Sequence, residues 1–430
     1  MLHHISQAKS SQLTGGLRHK TIKEEGMSSD RIVITGMGVL TPLANNLEDF
    51  SKDIFEGKNG IGPISVFDAS KHDNKHGGEV KGFEPEKYFK VLKSSDYDRS
   101  TQFAVATSRM AYEMAGLKKD TYDARKIGCI FGTTMGNQGV IERYNDMLYS
   151  GHKAEFSKNL ISFQPNLITG AVATELGIKG VNLVIPTACA AGNYAIGYAS
   201  DLIKQGKADC VICGGSDAMS RVCFTMFSRL GAMSPDLCRP FDENRHGMIV
   251  SEGAAALVLE SYENAKKRNA KIYAELLGYG NSCDAYHVTA PHPEGRGILL
   301  ALKKAFEHSG VNKKDIDYIS AHGTGTKAND SSESFALNKF FGEEVEKTPI
   351  SSIKSMIGHT MGAAAAIEAV ASVLVLNKDK LPVNMNLDKQ DPNINLNVVS
   401  KPTDTDAKCI LSNAFAFGGN ISCIVLKREA

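Results

Sequence analysis

The chain has 430 residues, 42% hydrophobic and 23% charged, with 49 Lys plus Arg against 48 Asp plus Glu and a formal net charge of +1. At about 100–200 residues per domain this is an ordinary globular protein of two to four structural units. The charge balance excludes a protein built chiefly to hold nucleic acid, which needs a basic footprint, and only 13 prolines exclude a proline-rich or collagen-like chain.

Residues 1–28 lack an apolar core, so they read as a leader rather than a secretory signal, with Met27 as an alternative start. Glu24 and Glu25 break the acid-poor pattern of a transit peptide. Beyond them, short apolar runs alternate with helical periodicity. Residues 31–36 (RIVITG) predict a strand, 102–117 a helix, and 127–132, 181–186 and 209–214 three further strands. Strands follow at 254–259 and 272–277, an amphipathic helix at 297–309, a strand at 316–320, a helix at 331–341 and a strand at 349–353. A small-residue helix at 362–377 precedes closing strands at 410–412 and 421–426, with a Gly-containing loop, 415–420, between them.

This alternation predicts an α/β protein with a mainly parallel sheet covered on both faces. It divides into two similar halves, 29–275 and 276–430. Each holds a strand, a polar turn and a helix that opens on small residues, VIPTACAAGNYAIG and SIKSMIGHTMGAAAAIEA. Small residues there let two helices approach closely. The most apolar run, 363–376, falls short of the roughly 18–20 residues of a membrane span and contains Glu368, so it predicts a buried helix.

Nine scattered cysteines, an odd number with no export signal, predict a reduced, cytoplasmic protein. Cys210 and Cys213 form a CxxC, but no second pair follows at zinc spacing, so buried thiols are expected and no metal. Cys189 differs from the rest. It lies in PTACAAG, between a strand and a helix. A helix N-terminus offers unpaired N–H groups and partial positive charge, which favour a thiolate nucleophile. A small buried core thiol is the competing reading. His322 follows a strand in AHGTGT, where Thr324 and Thr326 can bond a polar ligand. Lys354 and His359 sit in KSMIGHTMG, again after a strand. Loops at the carboxyl ends of parallel strands are where such sheets hold ligands.

These segments, with RIVITGMGVLTPLANN, RPFDENRHGMIVSEGAA, DAYHVTAPHPEG and NAFAFGGN, resemble the β-ketoacyl-acyl carrier protein synthases, including their type II polyketide ketosynthase relatives, over residues 31–427. The resemblance implies a thiolase-like fold, two pseudo-repeated halves in five α/β/α/β/α layers, assembled as a homodimer or as a heterodimer with a chain-length partner. It implies a decarboxylative Claisen condensation in fatty-acid elongation. Cys189 takes the acyl chain from an acyl carrier protein, and His322 and His359 act on the malonyl thioester. The backbone N–H groups of Cys189 and Phe417 form the oxyanion hole.

By the same resemblance Lys354 supports the site electrostatically, Glu368 is its buried partner, and Asp330 and Glu333 stand behind. Phe417 gates an acyl pocket lined by Met135 and Phe227, while Thr289, Thr324, Thr326 and Gly418 contact substrate. Phosphopantetheine arrives on the carrier, so no cofactor is expected, and neither nucleic acid nor membrane is a partner. Carrier proteins being acidic, a basic patch is expected at the tunnel mouth, with Lys90, Lys93, Arg99 and Arg229 as candidates.

Two departures carry expectations of their own. Ala416 stands where the family commonly has Gly before the gate, and Ala takes positive φ less freely, so a stiffer gate is expected. Met135 is expected to reshape the acyl pocket away from ordinary fatty chains. A type II polyketide or polyene ketosynthase would run the same chemistry. A coenzyme A-dependent thiolase or initiating synthase usually lacks the second His, and a non-catalytic chain-length partner usually lacks the nucleophile; both are present here.

Overall fold

The computed structural model describes residues 31–151 and 158–429; the expected leader, 1–28, lies outside them. Among the described residues eleven strands join in one sheet. The first half supplies β1 (Ile32–Leu40), β2 (Ile127–Gly132), β3 (Asn182–Ile185), β4 (Cys210–Asp217) and β5 (Gly253–Ser261). The second supplies β6 (Ala274–Cys283), β7 (Tyr318–Ser320), β8 (Pro349–Ser351), β9 (Asn397–Val398), β10 (Cys409–Phe415) and β11 (Asn420–Lys427).

The strand order is β3-β2-β4-β5-β1-β6-β11-β10-β7-β8-β9. Outward from the short β1/β6 pairing, the halves repeat each other. β1 lies antiparallel to β5 as β6 does to β11, and β5 lies antiparallel to β4 as β11 does to β10. Then β4, β2 and β3 run parallel, as do β10, β7 and β8.

Helix α1 (Arg99–Met114) and the helix Leu167–Leu176 cover the outer face of the first half-sheet. Between the half-sheets lie α2 (Ala191–Lys204) and, from the second half, the helix that follows β8. Helices α3 (Arg296–Ser309) and α4 (Lys327–Phe341) form the far outer layer. The central helix of the second half, α5 (Ala364–Lys378), buries every residue from Ala364 to Leu376. An all-round apolar helix has to be buried inside a protein or a membrane. The stretch Met361–Lys378 is long and apolar enough to cross a bilayer, yet 89% of it is buried within this protein. The expected close helix approach is real: a Cβ on Gly192 would stand 2.6 Å from the Ala366 nitrogen. The result is the five-layer thiolase-like arrangement.

Several boundaries moved. Strand β1 runs past its expected stop at Gly36 to Leu40, because Gly36 and Gly38 make room for α1. Added Cβ atoms would meet the carbonyls of Ala111 and Thr107 at 2.2 and 2.1 Å. Helix α4 begins at Lys327, four residues before the expected 331. The helices Leu47–Glu56, Gln138–Tyr149, Leu167–Leu176 and Arg221–Arg229 were not anticipated. Cys210 and Cys213 are fully buried in β4.

Candidate active site

The pseudo-repeat carries every chemically interesting loop to one end of the sheet. Cys189 follows β3, His322 follows β7, Lys354 and His359 follow β8, Phe417 follows β10, and Asp217 ends β4. A cavity of about 390 Å³ is lined by Cys189, Phe227, His322, His359 and Phe417, and by Thr289, Thr324 and Thr326. This is where parallel α/β sheets hold ligands, met here from both halves at once.

Cys189 sits in the single 3₁₀ turn Ala188–Ala190 that leads into α2, and is 6% exposed. The preceding Ala188 has φ +50°, left-handed backbone that costs a non-glycine residue energy and persists only where its surroundings enforce it. Met361, at the matching turn of the second half, has φ +52°. The Cys189 thiol is pushed up to about 12, first by burial and also by the Asp217 carboxylate; Lys354 and the backbone N–H groups of Cys189 and Phe417 act the other way. Burial thus works against the thiolate that the helix terminus is expected to favour.

His322 and His359 are 3% and 2% exposed, their rings edge-to-face with centroids 5.5 Å apart. The Met361 N–H donates to His359 Nδ1 at 3.2 Å, which leaves the proton on Nε2. The Lys354 ammonium, a donor only, lies 3.4 Å from His322 Nδ1 and donates to the His322 carbonyl at 2.7 Å. His322 therefore also carries its proton on Nε2. Burial holds both imidazoles well below the usual histidine value, reinforced by Lys354, and for His322 by His359 as well. The site thus presents two neutral N–H donors beside one thiol.

Lys354 also donates to Glu368. Burial raises Glu368 to about 7 against the pull of Lys354. Removing one member of such a buried pair typically costs about 3–5 kcal/mol, because the other charge is stranded. Lys354→Met is accordingly expected to lower the urea unfolding free energy by about 3 kcal/mol, and Lys354→Met with Glu368→Leu to recover most of it.

Asp330 and Glu333 act on the backbone rather than the cavity. Glu333 accepts the N–H groups of His322 and Gly323, both at 2.9 Å, and burial raises it to about 7. Asp330 accepts from Thr324 at 3.1 Å and from Phe241 at 2.9 Å. Together they shape the AHGTGT loop.

Some expected residues stand elsewhere. Met135 does not line the cavity; it belongs to an apolar cluster with Phe227, Met361 and Phe417. Gly418 turns away, donating its N–H to Val288 at 2.7 Å. Ala416 has φ −136°, extended backbone that alanine adopts freely, while Gly418 and Gly419 take the positive φ values of +78° and +77°. The Ala416 departure therefore strains nothing in this conformation. Of the basic candidates, Arg99 is committed to buried Glu252, with Nε to Oε2 at 2.9 Å. Lys90 and Lys93 are exposed but do not line the cavity, and only Arg229 adjoins it, next to lining residue Leu230. The sequence analysis did not single out Asp217, which lies just past the strand expected at 209–214.

Comparison with known proteins agrees with this geometry. Residues 29–265 match the β-ketoacyl synthase N-terminal domain and residues 273–388 its C-terminal domain. The chain is 39% identical over 413 residues to the 3-oxoacyl-[acyl-carrier-protein] synthase 2 of Synechocystis, covering 94% of this chain and 99% of that protein. It is similar to the ishigamide ketosynthase/chain length factor structure, with TM-score 0.90 and 38% identity over 94% of this chain and 100% of that one. It also resembles a type II polyketide ketosynthase solved with its acyl-carrier protein and bound to the hexaketide, with TM-score 0.86 and 31% identity over 94% and 100%. With both of its domains matched and the cysteine and two histidines meeting in one cavity, this chain belongs to the β-ketoacyl synthase family.

Proposed function

We propose that the protein is a condensing enzyme, a 3-oxoacyl-acyl carrier protein synthase of fatty-acid elongation. One observation carries the reading: a buried thiol shares one cavity with two neutral N–H imidazoles and Phe417.

In the first step the Cys189 sulfur attacks the carbonyl of an acyl thioester. The N–H groups of Cys189 and Phe417 hold the oxyanion, the carrier's thiolate leaves, and it takes the proton given up by Cys189. In the second step the malonyl thioester loses carbon dioxide. The electron pair of the broken carbon–carbon bond becomes an enolate on the thioester, received by the Nε2–H groups of His322 and His359. The enolate carbon attacks the acyl carbonyl, the carbon–sulfur bond to Cys189 breaks, and the departing thiolate takes a proton from water. Decarboxylation supplies the carbanion, so no strong base is asked of the site. Beyond the phosphopantetheine brought by the carrier, the proposal needs no cofactor.

The test is intact-mass analysis of acyl carrier protein after incubation with the enzyme, an acyl donor and malonyl carrier. A carrier heavier by the 3-oxoacyl group, two carbons longer than the donor chain, is the expected product; a carrier bearing only acetyl, from uncoupled decarboxylation, overturns the reading. One of the similar structures is a type II polyketide ketosynthase with its acyl-carrier protein, which supports a second reading with the same chemistry on a polyketide carrier. Repeated extension without intervening reduction, read in the same assay, would select it.

We further infer that a second copy of the chain pairs along β3. That strand is the outer edge of the first half-sheet, and Val181 and Leu183 are 37% and 38% exposed there. A bare edge with apolar side chains is a template for pairing. Leu183→Lys is expected to convert a dimer to monomer in sedimentation velocity.

A further inference from the structure

Asp217 is a fully buried carboxylate that the condensation chemistry does not itself use. Its Oδ1 accepts from Thr133 Oγ1 at 2.7 Å and Met135 N–H at 2.9 Å. Its Oδ2 accepts from Thr134 N–H and Gly362 N–H, both at 2.7 Å. Thr133 Oγ1 in turn accepts from Gly136 N–H, which commits the hydroxyl proton to Asp217. Three N–H groups and one O–H thus fill both oxygens, the pattern suited to an ionised carboxylate, which only accepts.

The groups it gathers come from both halves. Thr133 to Met135 follow β2 of the first half, and Gly362 opens the central helix of the second. Thr360, Met361 and Gly362 occupy the turn that matches Thr187, Ala188 and Cys189 in the first half, so Asp217 grips the counterpart of the nucleophile's own turn. Met135 and Met361, carried by the two gripped segments, belong to the apolar cluster with Phe227 and Phe417 behind the gate.

We propose that Asp217 is the positioning residue of the acyl-transfer site: it clamps the Met135 segment to the Met361–Gly362 turn and so fixes the apolar cluster that these two methionines form with the cavity-lining Phe227 and Phe417. This rests on the condensing reading above. The clamp sets how much acyl chain the cluster admits.

Two variants loosen the clamp. Asp217→Asn can accept on one atom only. Asp217→Glu puts the carboxylate on a longer arm. Both variants should alter the ratio of decanoyl to butyryl transfer from carrier to Cys189 by about threefold or more, as the cluster moves.

An unchanged chain ratio in both variants overturns the proposal. Should Asp217→Asn fail to fold, Thr133→Val, which deletes one of the four donors, carries the chain-ratio test, and an unchanged ratio there and in Asp217→Glu likewise overturns it. Wild-type enzyme that takes no acyl group from a carrier would sink the condensing reading instead.

Discussion

Cys189→Ala is expected to lose acyl transfer altogether while retaining decarboxylation of malonyl carrier. The two half-reactions use different atoms. Acyl transfer needs the sulfur as nucleophile and the N–H groups of Cys189 and Phe417 at the carbonyl; alanine keeps the N–H and deletes the sulfur. Loss of a covalent nucleophile costs several powers of ten, at least ~10⁴-fold, because no other group here can form the bond. Of the other cysteines, Cys129, Cys210, Cys213, Cys409 and Cys423 are buried in the sheet, Cys223 in an apolar cluster, Cys238 donates to the Thr324 carbonyl, and the exposed Cys283 contacts the Gly418 carbonyl. Decarboxylation needs the two imidazoles, which the substitution leaves untouched, and should stay within about tenfold of wild type. The check is paired: radiolabelled acyl transfer to the enzyme, and release of carbon dioxide from malonyl carrier. Acyl transfer persisting in Cys189→Ala would unseat the nucleophile and the mechanism with it.

The alternation of apolar runs was enough to read a two-half α/β protein, because buried parallel strands announce themselves as continuous apolar segments. It was not enough to place their ends. Gly36 and Gly38 look like strand terminators in isolation; they continue β1 because α1 needs the space a side chain would fill. The helix Leu47–Glu56, capped by the Asn46 side chain on the Asp49 N–H, carries acids and bases on its exposed face and only three buried residues, so its apolar signal is thin.

At the site, the order of Cys189, His322, Lys354 and His359 along the chain was visible, and the resemblance supplied their roles. The ionisation of Cys189 was not visible, since it is decided by how completely the thiol is desolvated, a property of the assembled cavity. Asp217 escaped for a similar reason. Its partners lie 82 to 145 residues away in sequence, and nothing local marks a carboxylate that serves distant backbone.

His322→Ala and His359→Ala should each slow decarboxylation by about 10²–10³-fold, the usual effect of removing one preorganised donor from a developing oxyanion. Both leave Cys189 in place, so acyl transfer to the enzyme should change by less than about tenfold. The double variant should fall well short of the product of the two, since the donors share one enolate oxygen and act as a unit. The pH dependence follows from the direction of the imidazole shifts. Both rings are held well below the ordinary histidine value by burial and by Lys354, so they stay neutral where an ordinary histidine would gain a proton. Decarboxylation measured between pH 8 and 6 should therefore show no break near 6.5, where an ordinary histidine would change charge. Lys354→Met removes the ammonium that helps depress both rings. Each ring then gains a proton at higher pH than before, and the acid limb of the rate profile should move upward, toward neutrality. A break near 6.5 in the wild type, or an acid limb that stays put in Lys354→Met, would mean that the rings titrate as exposed groups. The pair of fixed neutral donors would then have to be abandoned as the source of enolate stabilisation.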